Sequence, residues 1–93
     1  MTTMADSFQG PVRVMGDDGI LLTTGSATLA GDPEMGTWSG TLETLKGTGV
    51  AGKALVVEIE IPGNGRGRAQ LTPHSVNGDK AISQVVGLEP KFF

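Results

Sequence analysis

The stretch Leu55-Val56-Val57-Glu58-Ile59-Glu60-Ile61-Pro62-Gly63-Asn64-Gly65-Arg66-Gly67-Arg68-Ala69-Gln70-Leu71 decides the fold. Up to Ile61 the residues alternate. Leu55, Val57, Ile59 and Ile61 share one face, while Val56, Glu58 and Glu60 share the other. A period of two with β-branched residues is the mark of a half-buried strand. Pro62 stops it, because proline has no N–H to donate to a ladder. Gly63-Asn64-Gly65 reads as a tight turn. Alternation then resumes, with Ala69 and Leu71 on one face and Arg66, Arg68, Gln70 and Thr72 on the other, until Pro73. Strand, turn, strand is a hairpin, and the charges fall on its outer side.

The same grammar runs through the rest of the chain. Asp18-Gly19, Asn64-Gly65 and Asn77-Gly78 are expected to be two-residue hairpin turns, whose central residues both take positive φ. A first strand holds Val12 to Met15, with Phe8 just before it and Pro11, which cannot donate to a ladder, at a strand start or on an edge. A second covers Ile20 to Ala30, and Gly25 within it suggests a bulge or bend. Gly31 to Gly36 reads as a turn. A third strand covers Thr37 to Thr44, with Trp38, Gly40 and Leu42 on one face. The fourth runs from Lys53 to Ile61 and the sixth from Ala81 to Leu88. Leu45 to Gly52 carries Gly47, Gly49 and Gly52, which argues against a helix there.

Six short strands and no helical period predict an all-β fold. Closing the sheet removes its aggregation-prone edges, so the expected architecture is a closed or nearly closed six-stranded antiparallel β-barrel built as a hairpin meander. The domain is expected over 8–93, after a disordered tail of residues 1–7. The predicted inward set is Val12, Val14, Ala27, Leu29, Leu42, Leu55, Val57, Ile59, Ala69, Leu71 and Val86. It is wholly apolar. A barrel needs roughly eight strands before its interior holds a small ligand. The lumen should therefore be packed shut, and any site should lie at a mouth, on the outer wall or at a subunit interface.

Composition narrows the chemistry. The chain has 93 residues, 15 of them glycine and 5 proline, with a net charge of −3. That size gives one domain with a thin core, burying roughly 60–65% of its unfolded surface. An acidic chain lacks the basic face that phosphate backbones or anionic membranes attract, so neither nucleic acid nor membrane is an expected partner. Without cysteine there is no disulfide, thiolate or zinc–cysteine chemistry. Residues 1–8 show no basic segment followed by an apolar run, so no secretory signal is read and the cytoplasm is the expected compartment.

Four residues stand out as candidate binding groups, none of them catalytic. Trp38 is the only tryptophan and could stack on a ligand or anchor an interface, or could plug the end of the barrel. His74 is the only histidine and follows Pro73 beside a loop. One histidine and no cysteine leave no histidine-rich metal site, and no cofactor is expected. Arg66 and Arg68 either pair across the strands with Glu58 and Glu60 or contact an anionic partner. Gly63-Asn64-Gly65-Arg66-Gly67-Arg68 superficially resembles a phosphate loop, but the third glycine is misplaced and a strand follows. Asp17, Asp18, Asp32 and Glu34 do not have calcium-loop spacing. No serine sits in G-x-S-x-G.

Ile20-Leu21-Leu22, Ala54-Leu55-Val56-Val57 and Val85-Val86 each leave at least one aliphatic group on an outward face, which in a small chain points to self-association, with a two-fold dimer the expected form. The leading functional expectation is a non-catalytic self-associating binding or accessory module. The alternatives are a small-molecule-binding or cyclase-like enzyme with a site near Trp38, and a structural component of a larger assembly.

Several short segments together resemble an uncharacterised small-barrel domain family of actinobacteria. They are Phe8-Gln9-Gly10-Pro11, Gly25 to Leu29 with Asp32-Pro33-Glu34, Thr37-Trp38-Ser39-Gly40, Gly67-Arg68-Ala69-Gln70-Leu71, and Val86-Gly87-Leu88-Glu89-Pro90-Lys91-Phe92. Members of that family occur alone and appended to flavin-dependent monooxygenase-like proteins. The resemblance implies the fold and no particular activity.

Overall fold

A computed structural model describes residues 7–16, 18–32, 36–45, 54–89 and 93. Six strands follow one another: β1 (Ser7–Met15), β2 (Leu21–Asp32), β3 (Thr37–Leu45), β4 (Leu55–Ile61), β5 (Gly65–Asn77) and β6 (Lys80–Gly87). They form a closed antiparallel barrel in the order β1-β2-β3-β6-β5-β4, with no helix among the described residues. The chain is not one continuous meander. It makes two, β1-β2-β3 and β4-β5-β6, which meet along two seams. One seam joins β3 to β6 over Ser39–Leu45, and the other joins β1 to β4 only over Arg13–Met15. Pro11 lies inside β1 and not at its start; among the described residues β4 does not flank it, so it occupies the edge position that a proline tolerates.

The two meanders share one register. Phe8, Gly10, Val12 and Val14 of β1 face Leu29, Ala27, Gly25 and Thr23 of β2. In the second meander Leu55, Val57, Ile59 and Ile61 of β4 face Leu71, Ala69, Gly67 and Gly65 of β5. Leu29 then faces Gly40 of β3, as Leu71 faces Val85 of β6. Exchanging the meanders carries the pairs Arg13–Glu60 and Gly40–Val85 onto themselves. The barrel therefore has an internal pseudo-two-fold axis through those two pairs.

Val12, Val14, Ala27, Leu29, Leu42, Val57, Ile59, Ala69 and Leu71 are buried in one cluster with Trp38, Ile61 and Val85. Each fully buried aliphatic side chain contributes about 1.5–3 kcal/mol. Leu55 packs against this cluster while partly buried. Val86 is the exception to the expected inward set. It is 47% exposed, and Val85 points inward instead at 0%. Along β6 both parities carry apolar residues, Ala81, Ser83, Val85 and Gly87 against Ile82, Gln84, Val86 and Leu88, so alternation alone could not choose. The choice is made by Trp38, whose indole lies where a Cβ on Gly87 would stand. Gly87 must face inward, and the rest of the strand follows.

The turns differ from expectation in detail. At β1–β2 the Gly19 N–H donates to the Gly16 carbonyl and the Gly16 N–H donates to the Ile20 carbonyl, both at 2.9 Å. This is a three-residue loop in which Gly19 alone among the described residues takes positive φ, at 80°. The Asp18 carboxylate accepts from the Ile20 N–H at 3.0 Å, an Asx-type brace. At β4–β5 the Asn64 N–H donates to the Ile61 carbonyl at 2.9 Å and Gly63 has φ 79°. Pro62 and Gly63 are thus the central residues of a type II pattern, not Asn64-Gly65. At β5–β6 Asn77 faces Lys80, so Gly78-Asp79 is the two-residue loop, shifted by one from the expected Asn77-Gly78. No non-glycine residue described has positive φ, so none of the three turns takes it at both central positions.

Two further expectations change. Gly25 pairs regularly with Val12, and the irregularity in that hairpin lies at Leu22, between Leu21 and Thr23. β5 does not stop at Pro73. It continues to Asn77 with a shift between Pro73 and Ser75 that leaves His74 as the extra residue. The turn at residues 33–35 and most of the β3–β4 connection lie outside the described residues.

Candidate functional site

Each candidate residue follows from its strand position. Trp38, the second residue of β3, points inward and is 1% exposed. Its indole N–H donates to the Glu89 carbonyl at 2.7 Å. The ring meets Phe93 edge to face, with centroids 5.9 Å apart at 89°. Trp38 is therefore an end plug with its donor satisfied, and it offers no free stacking face.

Arg66 and Arg68 lie on the outer wall of β5, in register with Glu60 and Glu58. The Arg66 ion pair runs obliquely, whereas Arg13 and Glu60 are direct partners across the β1–β4 seam. Arg66 reaches Glu58 at 3.6 Å, while Glu60 is taken by Arg13 from β1 at 3.4 Å. All these side chains are substantially exposed, so each pair contributes well under about 1 kcal/mol. Cross-strand pairing is present, and it ties β1, β4 and β5 together on that wall. His74 is exposed at the β5 irregularity, towards the β5–β6 turn.

The four residues do not converge. Trp38 lies at the end where β1 starts and β6 finishes, the arginines on the wall, and His74 towards the other end. Two of them are linked by a residue that sequence reading passed over. The Glu89 carbonyl receives the Trp38 indole, and the Glu89 carboxylate accepts the Arg68 backbone N–H at 3.0 Å. The Leu88 N–H donates to the Arg68 carbonyl at 2.9 Å. Glu89 thus latches the segment after β6 across the end of β3 and onto β5. Its place in Val86-Gly87-Leu88-Glu89-Pro90 was the available signal, but nothing local distinguishes it from a solvated glutamate.

Two clefts lie along the first meander and reach across the β3–β6 seam. One, of about 370 Å³, is lined by Gln9, Gly10, Ser26, Ala27, Thr28, Thr41, Glu43 and Ile82. The other, of about 220 Å³, shares Ser26 and Glu43 and adds Thr24, Gly25, Thr44, Leu45 and Lys80. Glu43 pairs with Lys80 at 3.6 Å. Hydroxyls dominate the lining. A lone carboxylate already beside an ammonium, with no second acid, base or nucleophile–base pair, has no arrangement for general acid–base or covalent catalysis. Among the described residues no three histidine, aspartate or glutamate side chains gather to hold a metal ion.

Apolar exposure is more organised. The exposed large aliphatics among the described residues are Ile20, Leu21, Leu22, Leu45, Val56, Val76, Val86 and Leu88. The first three follow the β1–β2 turn, where the irregularity at Leu22 breaks the alternation and leaves consecutive aliphatics outside. Leu45 ends β3, and Val76 immediately precedes the Asn77 end of β5. Antiparallel pairing puts all five at one end of the barrel, opposite the Trp38 plug. No family model, curated protein or solved structure matches this chain.

Proposed function

We propose that this protein is a non-catalytic, self-associating binding or accessory module. The observation that supports this most strongly is the set of exposed aliphatics at the end of the barrel opposite Trp38: Ile20, Leu21, Leu22, Leu45 and Val76. Gathered apolar exposure of this kind on a small domain favours association, because burying it against a like surface removes apolar area from water. The second copy would bring the same end, which is the self-complementary arrangement of a two-fold dimer.

The packed barrel interior agrees with a role outside catalysis, and so does the pairing of Glu43 in its cleft. An accessory role also fits the resemblance to small barrels appended to larger proteins. A small-molecule or cyclase-like site at Trp38 draws no support from a ring that is buried and hydrogen-bonded.

Light scattering on the eluting protein at micromolar concentration tests the reading. The expected result is twice the chain mass, shifting to the single-chain mass for Leu22→Glu and Leu45→Glu with an unchanged β-type circular dichroism spectrum. A single-chain mass for the unsubstituted protein at every concentration up to millimolar would overturn it.

A further inference from the structure

We infer that the self-associated form is an exchanged dimer, in which residues 7–45 of one copy close a barrel with residues 54–93 of another. The inference rests on the self-association proposed above and names its partner surface: the edges of β4 and β6 in a second copy.

Among the described residues the two meanders meet through β3–β6 and β1–β4, through the core between them and through the contacts of Trp38 with Glu89 and Phe93. Each meander alone leaves its inner face and two strand edges bare, so each requires the other. Nothing in the seam pairs, such as Gly40–Val85 and Arg13–Glu60, requires the two meanders to come from one chain. An exchanged dimer repeats every native contact, which makes exchange a low-cost route to association.

The linkage permits it. β3 ends and β4 begins at the same end of the barrel but on opposite walls, three strands apart in either direction round the sheet. Residues 46–54 join them and include Gly47, Gly49 and Gly52. Fully extended, that length spans on the order of 30 Å, enough to lead from one barrel to a neighbour. The β1–β4 seam, limited to Arg13–Met15, is the weaker one and the place to open first.

The exposed aliphatics then acquire a reason. In an exchanged dimer both crossing connections leave from the Leu45 and Leu55 ends of the two barrels. Those ends are brought face to face, and they carry Leu22, Leu45 and Val76. The dimer buries apolar surface that the closed monomer leaves in water. That surplus opposes the effective concentration, typically millimolar for a short linker, that favours closure within one chain.

Cysteine pairs separate exchange from simple docking, since the chain has no cysteine of its own. Thr41 and Gln84 are exposed partners across the β3–β6 seam, and Thr28 and Thr41 are exposed partners within the first meander. The dimer fraction of T41C/Q84C is oxidised and run on a non-reducing denaturing gel beside T28C/T41C. Exchange gives a covalent dimer for the first pair and a single-chain band for the second. Dilution of the isolated unsubstituted dimer to nanomolar provides an independent measure. An exchanged dimer persists for hours, because both seams must open before it reverts. A dimer whose T41C/Q84C pair closes within one chain, or which reverts within seconds of dilution, overturns exchange while leaving self-association standing. A single-chain mass at every concentration overturns both.

Discussion

The indole of Trp38 lies directly on the α-carbon of Gly87, filling the space in which any other residue would place its Cβ. This contact sets the parity of β6, closes one end of the barrel and brings the indole N–H within reach of the Glu89 carbonyl.

Gly87→Ala is therefore expected to destabilise the fold by about 3 kcal/mol, the upper range for forcing a methyl group into a packed core. Trp38 is the only tryptophan, so its fluorescence reports the plug directly. The substitution should lower the urea midpoint and shift the native emission to longer wavelength. An unchanged midpoint would mean that the ring does not rest on Gly87.

The parity of β6 can be tested at adjacent residues. Val85→Ala empties buried volume and is expected to cost about 2 kcal/mol. Val86→Ala changes an exposed side chain and should stay within about 0.5 kcal/mol. Chemical denaturation of both variants decides the matter, and the opposite ranking would reverse the strand.

The β4–β5 turn makes a similar contrast. Gly63 has φ 79°, where a side chain costs about 1–2 kcal/mol, so Gly63→Ala should lower stability by that amount. Asn64 does not have positive φ, and Asn64→Ala should be close to neutral. If Asn64→Ala proves the costlier change, the turn is centred one residue later.

Thr44 and Ser83 carry buried hydroxyl oxygens with no hydrogen-bond partner in the structure; Thr44 of β3 faces Ala81 and Ser83 of β6 faces Leu42, so the two are diagonal neighbours across the seam. An unsatisfied buried polar atom costs about 1–3 kcal/mol. Ser83→Ala removes that atom with little change in volume and is expected to raise the melting temperature by several degrees, corresponding to about 1 kcal/mol. A lower melting temperature would show that the hydroxyl makes a stabilising bond.

Most of the barrel was legible in the sequence because its strands are short, alternating and punctuated. Val57, Ile59, Ala69 and Leu71 are placed by local pattern alone: a period of two puts them on one face, and water decides which face turns inward. The glycine-containing turns were legible for the same reason, and Gly19 and Gly78 take the expected positive φ, whereas Asp18, Asn64, Gly65 and Asn77 do not. Pro62 could have been read as a strand stop or as the first central residue of a turn, and only the Ile61–Asn64 hydrogen bond distinguishes them.

Tertiary structure decided what depends on distant partners. The pairing of β3 with β6 and β1 with β4 is invisible in the local pattern, because each strand would satisfy its alternation beside several neighbours. The inward turn of Val85 over Val86 depends on a tryptophan nearly fifty residues earlier in the chain. The role of Glu89 depends on two groups, the Trp38 indole and the Arg68 N–H, that only the closed barrel brings together. Sequence by itself determined that this chain folds as short strands around a thin apolar core. Closure determined which strands meet, which end is plugged by Trp38 and which is left apolar, since those are matters of three-dimensional fit between residues far apart in the chain.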